Sequence, residues 1–432
     1  MGPPAPGDAD DGTGQRTGAV IVVAGVALFA TALLAGAALA PDVGAAGDDA
    51  SGTLVGSHGG GAGLHERGSV YLLDGREIAW RAGDTDSYFD VTKLDNGSVM
   101  AGFMQSGYDE CGPYESPCAH TGFRIIDPNP DSGADPEITH EYSFPVRSEK
   151  NSEVHDVELL DSGEFLVTDM DRERIFTVRG DEITWQWNAS QRYDAPEDPT
   201  RTDWLHINDV DVIGEDRYLV SVRNAHQLVV VARGEGVVEV INEGDPESTR
   251  GDPTLLRQQH NPQWLGNDSV LVADSHNDRI VELERGADGE WTVAWEIYAA
   301  EGVNFNWPRD ADRLANGNTL ITDSLNKRVV EVNRSGETVW SYNTPEVPYE
   351  AERLPEGETV GGTSYADGGG DTTTIGEGRD VPVLSFLLVI VQTAVQTPFW
   401  FTEVHVAVTL VSLVAVLVGL GSIIRARVRA RR

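Results

Sequence analysis

The 432-residue sequence predicts an all-β chain. Its expected architecture is a six-bladed β-propeller closed by strands from both termini, with transmembrane helices near the two ends. Three observations predict it. A fifteen-residue segment returns six times along the chain. The last copy lacks its outer strands, and matching strands stand near the N-terminus. Long uncharged stretches flank the repeats.

Residues 1–18 are read as a cytoplasmic N-terminus. Residues 19–40, AVIVVAGVALFATALLAGAALA, are 22 uncharged residues, enough to span a bilayer. Arg16 before them and the closing ALA also fit a signal peptide, so anchor and cleaved leader both stay open. The repeats occupy 50–364. Residues 365–380, rich in Gly, Thr and Asp, are read as a linker. Residues 381–401, ending in PFWF, are read as re-entrant or interfacial, and 404–424 as a transmembrane helix. Five arginines in RARVRARR, residues 425–432, then mark a cytoplasmic tail and put the propeller on the extracytoplasmic face of the cell membrane.

Acidic residues outnumber basic ones 70 to 32, for a formal net charge of −38. No basic surface is left to neutralise phosphates, so nucleic acid is excluded as a partner. Acidity spread along the chain is read as a solvated surface suited to high salt, with cation binding the minor reading. The two cysteines, Cys111 and Cys118 in CGPYESPC, are too few for a zinc site. A local disulfide is the preferred reading over two free thiols, and it implies an oxidising compartment. Sequons at Asn96, Asn188, Asn267 and Asn333 agree with an exterior location.

The six copies are FDVTKLDNGSVMAGF from Phe89, HDVELLDSGEFLVTD from His155, NDVDVIGEDRYLVSV from Asn208, HNPQWLGNDSVLVAD from His260, RDADRLANGNTLITD from Arg309 and YEAERLPEGETVGGT from Tyr349. Each reads as strand, tight turn, strand. Two more strands follow, as in RVVEVNRSGETVWSY after Arg328. Four short strands per unit of about 45–50 residues define a propeller blade. VYLLDGREIAW at 70–80 aligns with VEVNRSGETVW at 330–340, so the N-terminal strands complete the last blade and leave no open edge. TLVGSH at 53–58 competes with TVGGT at 359–363 for the second strand there.

Inner strands line the central channel, so the variable leading residues form a ring: Phe89, His155, Asn208, His260, Arg309 and Tyr349. The next position is nearly constant (Asp90, Asp156, Asp209, Asn261, Asp310, Glu350) and is read as scaffold. Asp169 with Arg174, Asp274 with Arg279 and Asp323 with Arg328 repeat one spacing, read as structural ion pairs near the strand turns. The third blade breaks that rule with Val222 and Gln227. It places Arg223 where the other copies have Met104, Met170, Ser275, Ser324 and Ser364. His206, two residues before Asn208, is a further extra. His226 and His276 are read as surface residues, and His405 as interfacial. His58, His65, His120 and His140 fall outside the repeat.

Imidazoles beside arginines, with no carboxylate at the leading position, suit an anionic ester. A neutral His attacks a sulfuryl or phosphoryl group, because the N-linked imidazolium that results is a good leaving group. Arg pairs with the equatorial oxygens, and another His moves the phenol proton. With no phosphate-binding fingerprint in the chain, a nucleotide donor is not indicated and no cofactor is expected.

WLHINDVDVIGEDRYLVSVRN, QQHNPQWL, LVADSHNDRIVEL and NFNWPRDADRLANGNTLITDSLNKRVVEV closely resemble the arylsulfotransferase (aryl-sulfate sulfotransferase) family, in its membrane-tethered halophilic archaeal branch. The resemblance covers roughly residues 50–365. It implies a six-bladed propeller that moves a sulfuryl group from an aryl sulfate to a phenolic acceptor through a sulfohistidine. On that resemblance His260 is the nucleophile and Arg223 holds the sulfuryl oxygens, while His155, His206 and Asn208 belong to the pocket. Arg309, Tyr349 and Phe89 enter as substrate-binding residues on the ring argument alone. Two other readings stay open: a metal-dependent NHL-like lyase or lactonase with His155, His206 and His260 as ligands, and a non-catalytic binding or assembly propeller.

Overall fold

The computed structural model describes residues 8–41, 43–44, 47, 52–59, 67–129, 135–149, 152–244, 249–266, 268–366, 372–378, 381–395 and 397–430. The sequon at Asn267 and the histidine His65 lie outside the described residues. The chain forms two units, Asp42–Arg379 and the pair Met1–Pro41 with Asp380–Arg432.

The larger unit is a six-bladed propeller of antiparallel sheets. From the channel outward, blade one runs Ser87–Lys93, Val99–Tyr108, Cys118–Asp127 and Glu137–Val146. Blade two runs Val157–Leu159, Phe165–Asp169, Arg174–Arg179 and Glu182–Asn188. Blade three runs Ile207–Gly214, Arg217–Val222, Gln227–Ala232 and Gly236–Ile241. Blade four runs His260–Gly266, Ser269–Asp274, Arg279–Arg285 and Trp291–Ile297. Blade five runs Pro308–Arg313, Thr319–Asp323, Arg328–Val332 and Thr338–Asn343. Blade six takes its inner strand, Val347–Arg353, from the C-terminal side and Thr53–His58, Gly68–Asp74 and Glu77–Thr85 from the N-terminal side.

Blade six settles the competition for its second strand. Thr53–His58 pairs with Val347–Arg353 through Leu54↔Glu352 and Gly56↔Glu350, while residues 359–363 join no sheet. Gly361 and Gly362 hold φ of +100° and +145°, which no extended ladder accommodates. The repeat position of Arg223 is therefore filled in blade six by His58, not Ser364. Strand-rich apolar runs pack one blade face on the next. Leu166, Ile175 and Trp187 meet Val210, Val220 and Val229 across blades two and three, and each other junction has its own cluster.

One expectation changes. The segment read as a linker, 365–380, folds in part onto blade four. Tyr365 is buried against Trp295, with ring centroids 5.2 Å apart, and Thr373–Ile375 adds a parallel fifth strand beside Trp291–Ile297. The recurring Asp–Arg pairs form at the strand turns as the spacing indicates, with Nε–Oδ2 distances of 2.7 Å and buried carboxylates. Asp323 and Arg328 are both fully buried, and the Asp323 carboxylate also accepts the Asn306 N–H at 2.8 Å. The disulfide between Cys111 and Cys118 is present.

In the smaller unit, Thr13–Leu39 and Glu403–Arg429 are long and apolar enough to cross a membrane. They pack through small residues. A Cβ on Gly18 would lie 2.7 Å from the Gly419 carbonyl oxygen, and one on Gly25 would lie 3.0 Å from that of Ser412. The segment 381–401 contains the helix Pro382–Ala394 of 13 residues. That is about 20 Å of helix, short of the ~30 Å of a bilayer core.

Replacing Arg328 with Met strands the buried Asp323 carboxylate, which should lower the unfolding free energy by about 3–5 kcal/mol in denaturant titrations. The double replacement with Asp323→Leu should recover much of that loss, because no uncompensated charge remains.

Candidate functional site

The start of each inner strand projects its leading residue into one channel, so side chains far apart in sequence become neighbours. Phe89 lies 4.8 Å from His155 and 5.4 Å from Tyr349, ring centre to ring centre. His155 lies 5.0 Å from His206 and 5.5 Å from Tyr349. His260 lies 6.4 Å from His206 and 6.2 Å from Tyr349. The Arg309 guanidinium sits between the Trp307 and Tyr349 rings, at 4.6 and 5.2 Å. Asn208 is fully buried and donates through Nδ2 to the Gln259 carbonyl at 2.9 Å, fixing the backbone just before His260.

A second column, two residues before each leader, completes the site. Its members in blades three, four and five, His206, Gln258 and Trp307, hold left-handed φ of +56°, +48° and +51°. Such a conformation costs about 1–2 kcal/mol for a non-glycine residue, so something must hold it. The preceding blade does so by one repeated device. Glu173, His226 and Asp278 occupy the turn between their second and third strands, themselves at φ of +53°, +60° and +50°. Glu173 Oε1 accepts the His206 N–H at 2.7 Å, His226 Nδ1 accepts that of Gln258 at 3.2 Å, and Asp278 Oδ1 accepts that of Trp307 at 2.9 Å. His226 is thus a half-buried positioning residue rather than a surface one, whereas His276 is exposed.

The three central histidines differ in their partners. His206 Nδ1 bonds Asp203 Oδ1 at 2.9 Å, and His155 Nε2 bonds Glu153 Oε2 at 3.2 Å. His260 Nδ1 instead bonds the Ser275 hydroxyl at 2.8 Å. That hydroxyl donates its proton to the Pro308 carbonyl at 2.6 Å, so it accepts from His260 Nδ1–H. The partners therefore assign His260 a proton on Nδ1 and a lone pair on Nε2, which has no protein hydrogen bond among the described residues. Burial first, then the charges of Arg223 and Arg309, hold His260 well below the ordinary imidazole range. Burial and Arg223 push His206 down to about 4 against the pull of Asp203. Both rings are neutral at pH 7.

Arg223 and Arg309 are 9% and 8% exposed, and burial lowers both, Arg223 to about 10. Arg223 Nη1 reaches Asn224 Oδ1 at 3.0 Å, and Asp203 at 3.9 Å is its nearest carboxylate. Several buried polar atoms here have no partner: Arg223 Nε, Arg309 Nε and Nη1, His155 Nδ1, Asn208 Oδ1 and the Tyr349 hydroxyl. Orphaned cationic donors around a neutral imidazole lone pair make a cradle for an anion. The ligand atoms of His155, His206 and His260 are not among the sets that lie within 4.8 Å of one another, so the three-histidine metal reading lacks its geometry.

Three residues escaped the sequence reading. Glu153 bonds His155 and approaches His58 at 3.7 Å, and His58 faces Phe89 at 5.4 Å. The site thus includes a carboxylate after all. Burial raises Glu153, but bonds from His155 and His58 outweigh that and hold it well below the usual range. Glu153 and Trp307 stand in the column that made His206 conspicuous, so comparing that column across all six copies would have found them. His58 was hidden by the strand assignment in blade six.

No protein-family model matches the chain, and no curated protein does. Solved structures similar to it include a protein of unknown function from Bacteroides caccae, at TM-score 0.48 and 14% identity over 70% of this chain and 98% of that one. The periplasmic gluconolactonase of Pseudomonas aeruginosa gives TM-score 0.43 and 13% identity over 70% and 99%. Virginiamycin B lyase from Staphylococcus aureus gives 0.36 and 11% over 61% and 73%. The site is read from its own residues.

Ser275→Ala removes the acceptor of His260 Nδ1–H and the donor to Pro308. Unfolding free energy should fall by about 1–3 kcal/mol, the cost of stranded buried polar groups. The His260 imidazole proton, followed by NMR, should then distribute over both ring nitrogens.

Proposed function

We propose that the chain is an aryl-sulfate sulfotransferase that works by a ping-pong mechanism through a sulfohistidine at His260. The observation that carries this reading is the His260 Nε2 lone pair, fixed by Ser275, beside two buried arginines of which Arg223 Nε and Arg309 Nε and Nη1 lack partners among the described residues. In the first half-reaction Nε2 attacks the sulfur of the donor and the sulfur–aryl oxygen bond breaks. The leaving group departs with the electron pair as phenolate and takes its proton from solvent, since neutral His206 holds its own proton on Nδ1 against Asp203. In the second, the acceptor phenol gives its proton to His206 Nε2 while its oxygen attacks sulfur, and His260 recovers its lone pair.

The partners distinguish these roles. Asp203 orients His206 and stabilises its cationic form, as a proton carrier requires. A hydroxyl partner leaves His260 neutral, as a nucleophile requires. Arg223 and Arg309 face His260 and supply donors for equatorial oxygens, where each well-placed donor contributes about 10²–10³ in rate. Phe89, Trp307 and Tyr349 offer aromatic faces for an aryl group. The disulfide and the apolar helices fit a tethered, extracytoplasmic enzyme, with the arginine-rich tail in the cytoplasm.

With an aryl sulfate donor and a phenol acceptor, His260→Ala should abolish transfer, and trapped wild type should carry one sulfuryl group on His260. An adduct on another histidine would reassign the nucleophile, and an absence of transfer across a donor panel would favour a binding propeller. The acid limb of kcat/KM should lie near pH 4 rather than 6.5. The sign follows because protonation fills the lone pairs the reaction uses, so activity is present above the depressed His206 value and lost as pH falls through it.

A further inference from the structure

On the other side of the leading ring the channel is acidic, and we propose that it binds one calcium-class divalent cation through Glu158, Asp211 and Glu358. One oxygen from each of these residues lies within 4.8 Å of the others. Two oxygens sharing one ion at the Ca–O distance of about 2.4 Å are at most about that far apart. Glu158 comes from blade two, Asp211 from blade three, and Glu358 from the loop that follows the inner strand of blade six.

Buried, unpartnered oxygens support a ligand independently of the clustering. Asp211 is 4% exposed and its Oδ2 has no hydrogen-bond partner, while Asp209, 7% exposed, also has an orphaned Oδ2. Asp209, Asp211 and Glu358 line one narrow cavity of about 20 Å³, room for a body the size of a water molecule or ion, and Glu158 stands just outside that lining, within 4.8 Å of Asp211 and Glu358. Its lining includes eight carboxylates and no basic side chain. The orphan at Asp209 has a chain-level cause. At four other junctions the equivalent carboxylate accepts the N–H of the third residue of the next repeat segment, but here that residue is Pro262, which has none.

An all-carboxylate ligand set is hard and flexible, which suits Ca²⁺. Mg²⁺ keeps several waters, for which this cavity is too small. The site uses none of the residues assigned to sulfuryl transfer, so either proposal can fail alone.

The full chain in detergent, stripped with chelator and held at constant high NaCl, tests it by calorimetric titration and thermal unfolding with CaCl₂ or MgCl₂. One high-affinity Ca²⁺ per chain and a rise in Tm of several degrees are expected. Asp211→Asn keeps the acceptor for the Trp264 N–H and removes the charge, so it should abolish both signals, as should Glu358→Gln. Exposed Asp288→Asn should change neither. No saturable calcium site in wild type, an unaltered one in both channel variants, or a response to Mg²⁺ alone would overturn the proposal.

Discussion

Four carboxylates at the hub do what no blade can do for itself. Asp90 Oδ2 accepts the Val157 N–H at 3.2 Å, Asp310 Oδ2 that of Ala351 at 3.0 Å, and Glu350 Oε1 that of Val91 at 3.3 Å. Asp156 Oδ2 does the same for Val210. Each bond reaches from the second residue of one repeat segment to the third residue of the next. Inner strands of neighbouring blades share no regular ladder, so their buried N–H groups need partners from elsewhere. A short side chain with two acceptor oxygens supplies them, which explains why that position is acidic in five blades of six and leading residues are free to vary.

The clasp has an electrostatic consequence. Carboxylates gathered on one level of the channel repel one another and are expensive to bury. The level above them carries Arg309 and neutral His260 of the leading ring, with Arg223 and neutral His206 beside them. The channel is therefore polarised along its length, with an anion cradle on one level and an acidic chamber on the other. Blade four is the exception in both layers. Pro262 interrupts the clasp, and Asn261, at φ +31°, donates to Glu350 Oε2 at 3.0 Å instead of accepting from a backbone. The interruption falls directly after His260, where the register of the ladder shifts between His260 and Gln263.

Much of this was legible in the residues. Period-two alternation, turn residues and a fixed spacing of leading letters identified six blades and the ring of His155, His260 and Arg309, because a propeller repeats one local structure and needs no long-range inference within a blade. The Asp–Arg pairs were visible for the same reason. Less legible was where elements meet. Sequence spacing shows that Asp274 and Arg279 pair, but not that the pair is sealed from water and also holds the Arg257 N–H at 2.6 Å. His226 looked like a surface turn residue because its only task, accepting the Gln258 N–H, belongs to the next blade.

The sequence by itself determined the number of blades, the closure by both termini and the identity of the leading ring, since each is a property of local pattern. Tertiary structure alone decided which strand completes blade six, and with it the place of His58 beside Phe89 and Glu153. It also decided the roles of the histidines. Those depend on whether a ring nitrogen faces a carboxylate or a hydroxyl, and Ser275 lies 15 residues from His260, in the turn that follows the next strand. Side-chain partners across strands and blades are set by three-dimensional register, which no one-dimensional spacing encodes.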